Sequence, residues 1–211
     1  MQIAEPMTMA TDYVMGAVAL ALAIRMLRQR EAAGQTAVRL WATALVMTGF
    51  AALVGGSYHG FIKMLPPELA ARLWTLTLAA TGFGSAALLA AAVVAGTGGV
   101  LRRVLVWAVV AKLASYLFWI WSHTDFIVVI VDYTSALAGV VWLARLSRPS
   151  GLTRAAGWIT AGAAVSVVAG LIQALRVAPH PQFNHNDLFH VVQTGALYLL
   201  YRGGLLMRDT R

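Results

Sequence analysis

Three of the five histidines in this 211-residue chain, His180, His185 and His190, fall with Asp187 inside one stretch, APHPQFNHNDLFHVV. The other two, His59 and His123, each close an apolar block, and Asp125 and Asp132 follow His123 within ten residues. Imidazole and carboxylate are the ligands of Zn²⁺, and a catalytic zinc takes three protein ligands and keeps one place for water. The metal brings that water's pKa to about 7 and makes hydroxide available. On this chemistry His59, His123 and His190 are the candidate ligands, with His185 or Asp187 as a fourth. Asp132 and Asp125 are the candidates for general base, or for holding the ligand imidazoles in one tautomer. No HExxH or similar local signature is present. The same groups can also work without a metal. Histidines titrate near neutrality, so the set could sense pH, bind a small molecule, or relay protons through His190, Asp132 and Lys112.

The elements that must carry these residues are membrane spans. The chain is 60% hydrophobic and 11% charged, where a soluble domain has about 25% charged residues. Its apolar residues come in blocks of the roughly 17 to 25 residues that cross a hydrocarbon core. Seven spans are expected, at 11–28, 38–60, 72–96, 101–121, 125–144, 155–176 and 187–207. The fold class is therefore all-α, a seven-helix transmembrane bundle forming a single domain over 1–211. With no cysteine, disulfides and thiolate metal sites are excluded. The start, MQIAEPMTMATDY, lacks the basic region of a signal peptide, so the first span is expected to be retained.

The net charge of +8 is distributed as a topology signal rather than as a nucleic-acid surface. Arg25, Arg28, Arg30, Arg39, Arg102, Arg103, Arg145, Arg148, Arg154, Arg202, Arg208 and Arg211 fall on one side of the expected spans. Only Lys63, Arg72 and Arg176 fall on the other. The positive-inside rule then places the N-terminus outside and the C-terminus in the cytoplasm. The expected setting is a bacterial-type inner (plasma) membrane, with lipids as partners, no nucleic acid, and the histidines at the outer, periplasmic side.

Polar residues inside the spans form stripes. In span seven Asn186, Asp187, His190, Gln193, Thr194, Tyr198 and Tyr201 fall within roughly 140° of arc at 100° per residue. That stripe must face protein or a wet cavity, because unpaired polar groups are costly in hydrocarbon. Asp132 lies about 10 Å deeper than Asp125 on one face of span five. In span four Lys112, Tyr116, Trp119 and His123 make one stripe. Lys112 and Asp132 could equally neutralise each other as a structural ion pair, and Trp119 and Trp121 fit an interfacial belt. Thr48, Ala52, Gly55 and His59 align along span two. Such small residues, and the Gly/Ala-rich third span, let helices pack closely.

The stretch SHTDFIVVIVDYTSA resembles the His…Asp-Tyr pattern of the CREST superfamily, and NHNDLFHVV resembles that group's last-span His-x-x-x-His motif. The superfamily includes alkaline ceramidases, progestin/adiponectin receptors and GPI-remodelling proteins, typically zinc-dependent hydrolases with seven spans. The resemblance implies a zinc-dependent hydrolase of lipid amides or esters, with His59 and His190 as ligands and Asp132 as the acidic residue. The chain departs from the pattern at three places. Asn186 stands where the first motif histidine falls, Gly55 stands where a serine is expected, and the His…Asp pair joins spans four and five. The alternative to a hydrolase is a receptor, sensor or transporter using the same His/Asp pocket. Haem held by paired histidines is a third reading. Span seven has no lysine to carry a retinal Schiff base.

Overall fold

The computed structural model describes residues 3–29, 31, 34–146 and 150–210; Arg30, Arg148 and Arg211, counted above among the basic flanks, lie outside them. Among the described residues there are seven helices and no strand: α1 (Pro6–Arg28), α2 (Thr36–Phe61), α3 (Pro67–Gly96), α4 (Gly99–Ile120), α5 (Ile127–Leu146), α6 (Ala156–Ala174) and α7 (His185–Leu205). Helices α1 to α6 are long and apolar enough to cross a membrane. Helix α7 has 21 residues, but Asn186, Asp187, His190, Gln193 and Arg202 make it more polar.

Helices α1 and α3 begin five residues earlier than expected. Each has a proline in its first turn, where the missing N–H removes no helical bond and the fixed φ suits the helix. Helix α7 starts at a capping box. The Asn184 side chain accepts from the Asn186 N–H at 2.7 Å, and the Asp187 carboxylate accepts from the Asn184 N–H at 2.7 Å.

Helices α1, α2, α3, α5, α6 and α7 close a ring in which each packs on the next, and α4 lies outside it, mainly against α3. Helix α4 accordingly exposes Trp107, Phe118 and Trp119, as a lipid-facing helix would. Three side chains tie it to the ring: the Lys112 ammonium and the Ser85 hydroxyl both bond the buried Asp132 carboxylate. Within the ring, α1 and α2 approach through glycine. A Cβ on Gly16 would sit 3.1 Å from the Gly49 carbonyl oxygen, and the reverse distance is also 3.1 Å.

One end of the ring is sealed. Trp41 is fully buried and its indole N–H donates to the Leu200 carbonyl at 3.0 Å. Met26, Val38, Leu152, Ile159 and Met207 are buried around it. The C-terminal segment runs across this end. Thr210 bonds the carbonyl of Ala95, and the Arg208 N–H bonds the Gly151 carbonyl at 3.1 Å. Asp209 caps α2 from a distance of more than 170 residues: its two oxygens accept the N–H groups of Thr36 and Ala37, both at 2.8 Å. The residue that starts α2, Gln35, supplies no side-chain cap. Asp209→Ala therefore strips an N-cap and should lower stability by about 1 kcal/mol, read as a fall in the unfolding midpoint in mixed detergent.

Candidate functional site

At the opposite end of the ring, Asp12 of α1 and His190 of α7 face each other. The His190 Nε2 lies 3.1 Å from an Asp12 oxygen, and both residues are buried (7% and 4% exposed). The other ring nitrogen, Nδ1, lies 3.0 Å from the Thr11 hydroxyl, which also bonds the Thr8 carbonyl at 3.1 Å. A hydroxyl has one proton to give. If Thr11 gives it to Thr8, Nδ1 carries a proton and donates to Thr11, and the Asp12–Nε2 contact holds another. If Thr11 gives it to Nδ1, only the Nε2 proton remains on the pair. The two arrangements keep the Asp12 and Thr11 contacts of the ring and differ by one proton.

Asp187, fully buried, neighbours this pair but is spent on structure. One oxygen accepts the Thr8 hydroxyl at 2.8 Å and the other caps α7. His59 lies on α2, its Nδ1 3.0 Å from the Glu5 carboxylate but out of hydrogen-bond alignment, so that this buried nitrogen has no bonded partner. It sits edge-on to Tyr58 and Trp74, with centroids 5.4 and 5.9 Å away.

Two adjoining cavities, which share Asp12, Thr77 and Phe126 in their walls, run inward from here. The outer, about 60 Å³, is lined by His59, Gly55, Trp74, Gln173 and Asn186 as well. The inner, about 90 Å³, continues past Thr48, Thr81, Tyr133, Ser166 and Gln193. All six ring helices contribute to its wall and α4 does not. None of the residues that pack the sealed end lines it. The Ser166 hydroxyl, buried on this wall, has no hydrogen-bond partner, nor does the carbonyl oxygen of Gln173.

The residues singled out from the sequence do not all come here. His123 is exposed at the end of α4, stacked on Trp119 at 4.3 Å and bonded to Ser122. A four-residue helical spacing put it on the Lys112 stripe, but α4 stands outside the ring, so the outer end of that stripe faces away from the core. Asp125 is exposed in the loop before α5 and does not open the helix as expected. It lines a separate surface depression with Arg176 and His185. His180 is exposed in the loop and accepts the Gln182 N–H. Asp132 is engaged with Lys112 and Ser85. The donor set expected for zinc therefore does not meet: His190 uses both ring nitrogens, Asp187 uses both oxygens, and His123 is remote from the ring interior. Among the described residues no three His, Asp or Glu side chains lie close enough together to hold a metal ion.

The stripe of α7 is also rotated in its inner half. Tyr198 is 47% exposed beside Arg202, while Ala196 and Leu200, which lie outside that polar arc, are buried. Close packing on α6 and the Trp41–Leu200 bond fix that rotation. Asp12, Thr11, Ser166 and Gln173 are not among the site residues expected from the sequence. The first signal was present: Thr8, Thr11 and Asp12 recur at three- and four-residue spacing in TMATDYV, so the wheel applied to α7 would have found the matching face of α1.

A ring built of long apolar helices, with Asp12, Asp187, His190 and Gln193 buried inside it, defines a polytopic integral membrane protein with internal cavities. The chain belongs to a family of unknown function, DUF6962, whose pattern matches residues 7–209. No curated protein and no solved structure matches it.

Proposed function

We propose that this protein is a seven-span membrane receptor or sensor that holds a small ligand in the chamber beside Asp12 and His190. The observation that carries this reading is the one-sided cavity: it starts among His59, Trp74 and Asn186, reaches Ser166 and Gln193, and includes none of the residues that pack the opposite end. A route across the membrane would need polar lining on both sides of the Asp12–His190 pair, and the buried residues beyond Thr48 are Leu45, Val38 and Trp41. The pair's two proton arrangements give ligand or pH a way to change the charge of the chamber with little displacement of helices.

The proposed topology makes α7 a seventh crossing, since it runs from Thr8 at one end to the C-terminal clasp at the other, about 31 Å at 1.5 Å per residue. The basic residues Arg25, Arg28, Arg39, Arg102 and Arg208 belong to the sealed end. That end is then cytoplasmic and the chamber opens outside, on the periplasmic side of a bacterial-type inner membrane.

The natural chain has no cysteine, so a single one reports access. Thr77→Cys, on the shared wall, should be modified by a small charged thiol reagent added from the outer side. A Thr77→Cys protein left unmodified, while a cysteine at exposed His180 reacts, would remove the open-chamber reading. Zinc-dependent hydrolysis of a lipid amide or ester is the competing reading, favoured by the unbonded Nδ1 of His59 beside Asp12. Stoichiometric zinc in protein purified without added metal would decide for it.

A further inference from the structure

The chamber's polar groups point to the charge of its occupant. Threonines on the α2 and α3 walls have already given away their protons: Thr48 donates to the Ala44 carbonyl, Thr77 to Leu73 and Thr81 to Thr77, each at 3.0 Å. What they turn to the cavity is lone pairs. Gln173, on the wall of the outer cavity, donates its amide N–H to Asn186 at 2.7 Å, and its buried carbonyl oxygen has no donor. Asp12 has one oxygen on His190; the other lies 3.7 Å from where a Cβ on Gly55 would stand, at the cavity wall. Tyr133, Gln193 and the buried Ser166 complete the inner wall. No lysine or arginine lines either cavity. Among the described residues the only ion pair with a full cation is Lys112–Asp132; at this end Glu5 and Asp12 each face a histidine, and both oxygens of Asp187 are taken by Thr8 and Asn184.

Beside these acceptors stand aromatic faces. Trp74 and Phe126 have centroids 6.1 Å apart, and Phe126 and Phe189 5.7 Å. The Trp74 indole N–H is taken by the Thr124 carbonyl at 2.8 Å, so its π-face is what remains to offer. Acceptor oxygens, one free carboxylate oxygen and π-faces together suit a cation that donates hydrogen bonds. The cavities, about 90 and 60 Å³, fall far below the roughly 300–1,000 Å³ of drug-sized sites.

We infer that the chamber binds a small primary alkylammonium ion, its N–H donors on Asp12 and the threonine oxygens and its alkyl group against Phe126 and Trp74. This rests on the receptor reading above and names its ligand class. The test uses the full-length protein in micelles, titrated with propylammonium chloride, and potassium chloride and 1-propanol as separate arms. Propylammonium alone should bind saturably and should slow modification of Thr77→Cys. Asp12→Asn should weaken binding on the order of a hundredfold, as loss of one partner of a buried charge pair does. Gly55→Ala keeps the charge and intrudes on the site, and should weaken binding several-fold with the unfolding midpoint retained. Equal binding of potassium or of propanol would overturn the assignment. So would an open, modifiable Thr77→Cys that propylammonium neither occupies nor protects, with the open-chamber reading then still standing. An unmodifiable Thr77→Cys would instead sink that reading.

Discussion

Replacing His190 with leucine is expected to lower the unfolding free energy by about 1–3 kcal/mol for each buried polar group left without its partner. Two losses combine in that variant. Asp12 keeps its burial but loses the imidazole at 3.1 Å, and the Thr11 hydroxyl loses its partner at 3.0 Å. Carboxylates Glu5 and Asp187 are its nearby charged company, and neither can replace a donor. Unfolding in mixed detergent micelles would give the number. The double variant Asp12→Asn with His190→Leu should lose less than the sum of the two single changes, because the two side chains are in contact and share one interaction. Strict additivity would mean that the two side chains do not act as a unit, and the proton-sharing account of the chamber would fall with it.

The second large effect concerns Asp132 and Lys112. Asp132→Ala leaves an ammonium without its carboxylate midway along α4, and about 3–5 kcal/mol of stability should go with it. Lys112→Met combined with Asp132→Leu should recover most of the loss, since apolar replacement of both partners of a buried pair is often neutral or stabilising. The reason is location. The pair joins α4 to the ring through Ser85 and Asp132 is not among the residues lining the chamber. The double variant should then still bind ligand. If it is stable but inert, Asp132 belongs to the functional machinery, as the hydrolase reading requires of it.

These two pairs show how a wheel reading succeeds and where it stops. Lys112 and Asp132 were both visible as charges inside apolar blocks, and their mutual pairing followed from the scarcity of partners in hydrocarbon. His190 was visible on the polar stripe of α7 for the same reason. Its partner was not, because Asp12 stands near the start of its helix and reads as a residue at the membrane edge. His123 had the opposite fate: it lies past Ile120, where α4 ends, and the stripe that led to it faces the core only if its helix does. Asp187 looked like a ligand by type, yet the capping box at Asn184 consumes it.

Composition and block length by themselves determined that this chain is helical and membrane-embedded, because transfer of apolar side chains and backbone into hydrocarbon is a property of each segment alone. They also determined which residues cannot face lipid. Only the tertiary structure decided which of those residues meet. Ring order, with α4 left outside, and the rotation of α7 against Trp41 depend on packing between segments far apart in sequence. So does the capping of α2 by Asp209, a bond between residues whose local sequences give no hint of each other.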